Sequence, residues 1–236
     1  MTSELKNSIT KFDMQNAFID YLKKYNYKQE SIDQIIYLLE EICTRETIKF
    51  ENLDHLIGGL ITKYDQGGTE STFGLANNKT ALNSLKIYRE FNVYFIQIVL
   101  LNKVVMAYNL LFDLRGVQSF DIGTHLEKDT QAESYRMLIT NYICVLTGKR
   151  KNDKISISKF PPINHKKEVI CFYNKYKVIL QELEINRDQL YAHFDHKIFS
   201  DKSRIIEFEE LTDLIQQLIY LLDYGAPIEL KRSMHS

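Results

Sequence analysis

"VYFIQIVLLNKVVMAYNLLF", residues 93–112, admits two opposite readings, a membrane span or the central helix of a core. Its length approaches the roughly 20 apolar residues that span a bilayer. Gln97, Asn102, Lys103 and Asn109 interrupt it, and polar side chains are costly in hydrocarbon. The reading that follows is a core helix of a helical bundle, nearly apolar all round because other helices surround it. No membrane partner is expected.

Outward from this helix the chain keeps a helical rhythm. On the N-terminal side, Ile32, Ile35, Ile36 and Leu39 recur at i, i+3, i+4 and i+7, and Leu53, Leu56, Ile57, Leu60 and Ile61 do the same. Phe18 and Leu22 mark a first helix. "YDQGGTESTFGLANN", residues 64–78, is rich in glycine and polar residues and is the best candidate boundary. A long helical pattern then covers 79–114 and ends near Gly116. On the C-terminal side a helix is predicted over 129–147, closed by Gly148. Another starts near Asn164 as N-cap, and a last one covers 207–224 with Leu211, Leu214, Ile215, Leu218 and Leu222 on one face. The alternation in "KISISKF", 154–160, suits a short strand, limited by Pro161 and Pro162. The fold class is therefore all-α, with an N-terminal helical region at 1–65, a linker loop at 66–78 and a helical bundle at 79–236.

Composition agrees with a globular, non-secreted protein. The 236 residues carry a net charge of -1, with 44% hydrophobic and 26% charged side chains, and hold only 3 prolines and 9 glycines. Near-neutral charge argues against non-specific coating of nucleic acid but leaves room for a local basic patch. The 3 cysteines, Cys43, Cys144 and Cys171, form no CxxC pair, so neither a zinc site nor a disulfide framework is indicated. "MTSELKNSITKFD" has no apolar core, and a cytoplasmic location is expected.

"NRDQLYAHFDHK", residues 186–197, breaks the apolar rule. On a helical wheel, Phe172, Tyr176, Ile179, Leu183, Leu190 and Phe194 form one stripe. Arg187 lies about 40° to one side of its centre and His193 about 80° to the other. Asp188 points well away. A half-buried guanidinium must find acceptors, so the bland reading pairs Arg187 with a carboxylate and makes His193 a satisfied core histidine. His193 and His196 at i, i+3 lack an evident third ligand, so no metal and no cofactor are expected.

The stretch "RDQLYAHFD" resembles the signature of the HEPN superfamily (higher eukaryotes and prokaryotes nucleotide-binding domains). That signature is an Arg, a polar residue, and a His after four to six intervening positions. Here Asp188 follows Arg187, and five residues separate Arg187 from His193. The "YAHFD" ending is similar to the abortive-infection type U branch. The resemblance implies a helical bundle over roughly 79–225, a homodimer that faces two motif helices across one cleft, and a metal-independent endoribonuclease of prokaryotic defence or toxin–antitoxin systems, with an antitoxin or regulatory protein as a further partner. It makes Arg187, Asp188 and His193 the catalytic candidates, with Tyr191 and Asp195 as neighbours.

The chemistry suits these residue types. RNA carries its own nucleophile, the ribose 2′-OH. An imidazole with an ordinary pKa of about 6.5 moves protons near neutrality, and a planar guanidinium fork fits phosphate oxygens. Residues 149–177 add Lys149, Arg150, Lys151, Lys154, Lys159, Lys166, Lys167, Lys175 and Lys177 against only Asp153 and Glu168. Lys149, Arg150, Lys151, Lys154, Lys166 and Lys167 are the RNA-binding candidates, with Phe160 and Tyr173 available for stacking. The alternatives are a solvated loop whose lysines serve solubility and, for the whole chain, a non-catalytic protein-interaction or nucleotide-binding module.

Overall fold

Apolar residues spaced three and four apart make most of the described residues helical. In the computed structural model, residues 14–115, 119–120, 130–150, 154–192, 206–223 and 230 are described. They form an all-α fold: α1 (Met14–Lys24), α2 (Gln29–Glu46), α3 (Leu53–Tyr64), α4 (Ser71–Arg115), α5 (Thr130–Thr147), α6 (Lys166–Lys175), α7 (Lys177–Ala192) and α8 (Phe208–Leu221). Two two-residue strands, β1 (Ser119–Phe120) and β2 (Ile206–Glu207), pair antiparallel with Ser119 opposite Glu207 and Phe120 opposite Ile206.

The chain divides into two compact units, Met1–Asn92 and Val93–Ser236. The division falls inside α4 and not in the expected linker at 66–78. That segment is tied to α3: Glu70 N–H donates to the Lys63 carbonyl at 3.0 Å, and Phe73 packs edge-on against Tyr64 with ring centroids 6.0 Å apart. Gly68 and Gly74 permit the approach, since a Cβ would stand 2.1 Å from the Lys63 carbonyl oxygen at the first and 2.0 Å from that of Tyr64 at the second.

In the first unit, fully buried Phe18 of α1 meets Tyr88 edge-on at 5.1 Å and Phe91 at 5.1 Å, and Phe50 meets Tyr88 at 5.5 Å. Such pairs add about 0.5–1.5 kcal/mol each beyond the area they bury. Leu39, Ile42, Leu53 and Leu60 are among the other buried residues of this unit. Leu56, expected on the inner face of α3, is exposed, because the buried stripe runs through Leu53, Ile57, Leu60, Ile61 and Tyr64. Near the start of α4 the backbone turns left-handed over three residues, Asn77, Asn78 and Lys79, so the regular helix resumes only after them.

In the second unit, α4 supplies Leu101, Val104, Val105, Tyr108 and Leu111 to a core shared with Ile139 and Ile143 of α5, Phe172 of α6, Leu183 of α7, and Leu211, Leu214, Ile215 and Leu218 of α8. Among the described residues α4 is the one helix long and apolar enough to cross a membrane; here one of its faces lies in this core. The expectation that it is surrounded on all sides does not hold: Val99, Met106, Leu110 and Leu114 on the other face are exposed.

Three local expectations also change. Residues 154–160 form turns, not a strand, because Ile157 N–H donates back to the Leu146 carbonyl at 2.8 Å and Ser158 Oγ to that of Gly148 at 3.0 Å. Asn164 sits within a 3-10 turn, Ile163–His165, and α6 begins at Lys166 without a side-chain cap. The helix drawn through 172–197 breaks at Tyr176 (φ -100, ψ 16), whose hydroxyl donates to the Asp213 carboxylate at 2.7 Å. Its neighbouring backbone bonds to Phe172 and Leu180 persist, so Phe172, Tyr176, Ile179 and Leu183 still share the buried side.

Candidate functional site

The buried stripe of α7 runs Ile179, Leu183, Asn186, at helical spacing. Arg187 follows directly, its side chain only 13% exposed, and Asp188 stands out at 49%. A guanidinium stays protonated and must be met by acceptors when it leaves water. Arg187 meets its neighbour: Nε and Nη2 donate to Asp188 Oδ1 at 3.2 and 3.1 Å. The other carboxylate oxygen, Oδ2, accepts from Nη2 of Arg150, three residues past the end of α5. Each oxygen of Asp188 thus holds a different arginine.

Partial burial pushes the Asp188 carboxyl up, but the hydrogen bonds and charges of Arg150 and Arg187 outweigh it and hold the group below the usual carboxylate range. Cys144 of α5, within electrostatic reach of Arg187, is driven up to about 12 by burial, against which the arginine pulls only weakly. A thiol so placed is a packing group and not a nucleophile.

The basic segment is anchored. Gln97 of α4, 1% exposed, donates through Nε2 to the carbonyls of Ile155 at 2.7 Å and Phe160 at 3.1 Å. Lys159 Nζ donates to the Arg150 carbonyl. Lys149 lies over the Tyr173 ring, 4.2 Å from its centroid. Tyr173 does not serve for base stacking as expected: its ring is buried under Lys149 and its hydroxyl donates to the Thr147 carbonyl at 2.8 Å. Phe160 is half-buried.

The fold therefore brings Arg187, Asp188 and Arg150 into direct contact, with Lys149 beside Arg150 in the chain. Lys154, Lys166 and Lys167 are exposed and stand outside this ion-pair cluster. His193, Asp195 and Lys151 lie outside the described residues, and of Tyr191 only the backbone, in the last turn of α7, is described. Among the described residues no three His, Cys, Asp or Glu side chains lie close enough to hold a metal ion.

Sequence reasoning missed Arg136. It is 3% exposed on α5, the helix packed most closely on α7. The signal was available: Ala132, Arg136, Ile139, Ile143 and Leu146 are spaced as one stripe, so Arg136 occupies an apolar position as Arg187 nearly does. Thr140, one turn on, is also fully buried.

The chain matches no known family model, no curated protein and no solved structure.

Proposed function

We propose that this chain is a metal-independent endoribonuclease of the HEPN type, acting as a homodimer in a prokaryotic defence or toxin–antitoxin setting. The observation that carries the reading is the Arg187–Asp188 pair beside the buried stripe of α7, joined by Arg150 from an anchored basic segment. In this mechanism the P–O2′ bond forms as the P–O5′ bond breaks. The 2′ proton leaves to a base and a proton reaches O5′, and His193 serves as general base or acid. Arg187 meets the charge on the phosphoryl oxygens, and Asp188 fixes the guanidinium.

The test is cleavage of a labelled structured RNA in EDTA by wild type and by His193→Ala of equal circular dichroism. Loss of cleavage only in the variant supports the proposal; full activity in His193→Ala removes it.

A second reading, a non-catalytic interaction module, draws support from the exposed apolar face of α4, Val99, Met106, Leu110 and Leu114. Contiguous exposed apolar surface marks interaction sites. No cleavage of several RNAs by either protein, with tight capture of a protein partner lost on Met106→Glu, favours that reading.

A further inference from the structure

We propose that Arg150 belongs to the reacting centre and not to the surrounding basic surface: Arg150 and Arg187 form a two-armed clamp for one phosphodiester, held in register by Asp188. This rests on the ribonuclease reading above.

The geometry is that of a bridged pair. A carboxylate has about four lone-pair sites on two oxygens. Asp188 gives Oδ1 to Nε and Nη2 of Arg187 and Oδ2 to Nη2 of Arg150. One small planar group therefore holds two guanidinium groups within reach of a single tetrahedral oxyanion. On Arg187 this engages Nε and Nη2 of a fork that carries five donors.

The second arm has a fixed root. The Arg150 carbonyl accepts from Lys159, and the turn carrying Lys159 is held by Ser158 Oγ on the Gly148 carbonyl and by Gln97 on Ile155 and Phe160. A side chain on such a base loses less freedom on gripping a ligand than one on a loose tail.

Charge is balanced within the cluster itself. Arg150 and Arg187 stand against Asp188 and Glu184, and Lys149, next to Arg150 in the chain and held over the Tyr173 ring, adds positive charge to the same segment. Lys154, Lys166 and Lys167 present point charges without a planar fork. They suit tracking of the RNA backbone, while a pair of forks suits the phosphate whose charge is redistributed in the transition state. Asp188 is then a positioning residue: it touches the arginines and not the RNA.

The two roles separate in kinetics. Arg150→Ala, Arg150→Lys and Lys167→Ala are compared on a cleavable RNA. Arg150→Ala is expected to lower kcat about 10²-fold with KM nearly unchanged, and Arg150→Lys to recover little of it. Lys167→Ala is expected to raise KM alone. If Arg150→Ala raises only KM, as Lys167→Ala does, Arg150 is an ordinary backbone contact and the clamp is overturned.

A second measurement does not need cleavage. An all-deoxy oligonucleotide of the same sequence is titrated by fluorescence anisotropy against wild type, Arg150→Ala, Arg187→Ala and the double variant. Each single change is expected to weaken binding about tenfold, and the double variant to be little worse than either, because the arms share one phosphate. Losses that multiply in the double variant, or no loss in Arg150→Ala, overturn the clamp. A wild type that cleaves no RNA yet shows the coupled losses removes the ribonuclease reading and keeps the clamp.

Discussion

The side-chain amide of Gln97 donates to the carbonyl of Ile155 at 2.7 Å and so ties the core helix α4 to the basic segment beside Arg150. The same amide reaches the Phe160 carbonyl at 3.1 Å. One polar residue in a helix otherwise apolar enough for a membrane thus positions the loop 58 residues away in sequence. Gln97→Leu keeps the volume and removes both bonds, leaving two carbonyls short of a donor at about 1–3 kcal/mol each. A fall in Tm of several degrees is expected. Hydrogen exchange should quicken over 155–160 more than over α8, and equal exchange in both places would remove the tether.

The carboxylate of Asp188 titrates below its ordinary range because two arginines hold it. A group with a depressed folded pKa contributes stability that is present above the unfolded value, about 3.9, and is lost as pH falls through the folded value. Asp188 and Arg150 are both about half exposed, so water screens most of that contribution. Asp188→Asn is expected to leave Tm nearly unchanged at pH 7 and to lower kcat about tenfold by loosening both arginines. The acid limb of the pH–rate profile should stay in the range of an imidazole, ordinarily about 6.5, because Asp188 is already ionised there. A limb that moves in Asp188→Asn would make Asp188 the titrating group instead.

Residues with one strong periodic environment were legible in the sequence. Phe172, Ile179, Leu183, Leu211, Leu214 and Leu218 needed only helical spacing and are all buried. The odd position of Arg187 was legible for the same reason, as a charge beside an apolar stripe. Its partner Arg150 was visible only as one member of a basic run, since the Asp188 bridge depends on how α5 and α7 pack and joins residues 38 apart. The tether from Gln97 was read as an interruption, because a sequence shows that an amide is present and not which carbonyls it will meet. Tyr173 was read as free to stack, although it is closed off by Thr147 and Lys149. Boundaries failed where local chemistry competes with periodicity: the loop at 66–78 looked like a linker by composition, yet Phe73 and two close-packed glycines tie it to α3.

Lys79 offers a test of stored backbone strain. Its φ is 63, in the left-handed region, directly after Asn77 and Asn78. Asparagine tolerates that region through local hydrogen bonding, whereas lysine has no such relief, and the conformation costs roughly 1–2 kcal/mol for an ordinary side chain. Glycine removes the clash and returns part of the gain as unfolded-state entropy. Lys79→Gly is expected to raise Tm by about 2–4 °C, and Lys79→Val, branched at Cβ, to lower it. A Lys79→Gly protein that melts below wild type would show that the turn is not strained at this residue.

Glu46 and Lys63 make a close two-point charge contact in the first unit. Lys63 Nζ donates to both carboxylate oxygens, at 2.8 and 2.7 Å, and the Tyr64 hydroxyl donates to Oε1 at 2.9 Å. Glu46 ends α2, where the helix dipole disfavours a negative charge, so the cation from α3 matters more than it would mid-helix. Partial burial pushes the Glu46 carboxyl up, and the bonds from Lys63 and Tyr64 overcome this and lower it. Burial first, and then Glu46 itself, drive the Tyr64 phenol well above its ordinary value. Glu46 therefore stabilises the α2–α3 pair above its unfolded pKa of about 4.3, and the contribution fades as pH falls through the lower folded value. Glu46→Gln is expected to cost about 1–2 kcal/mol at pH 7. Wild type and variant should draw together as pH falls below the unfolded value and through the lowered native one. Hydrogen exchange in α2 and α3 across that range reads the loss locally, and a difference that does not shrink as the pH falls would assign the cost to packing and not to charge.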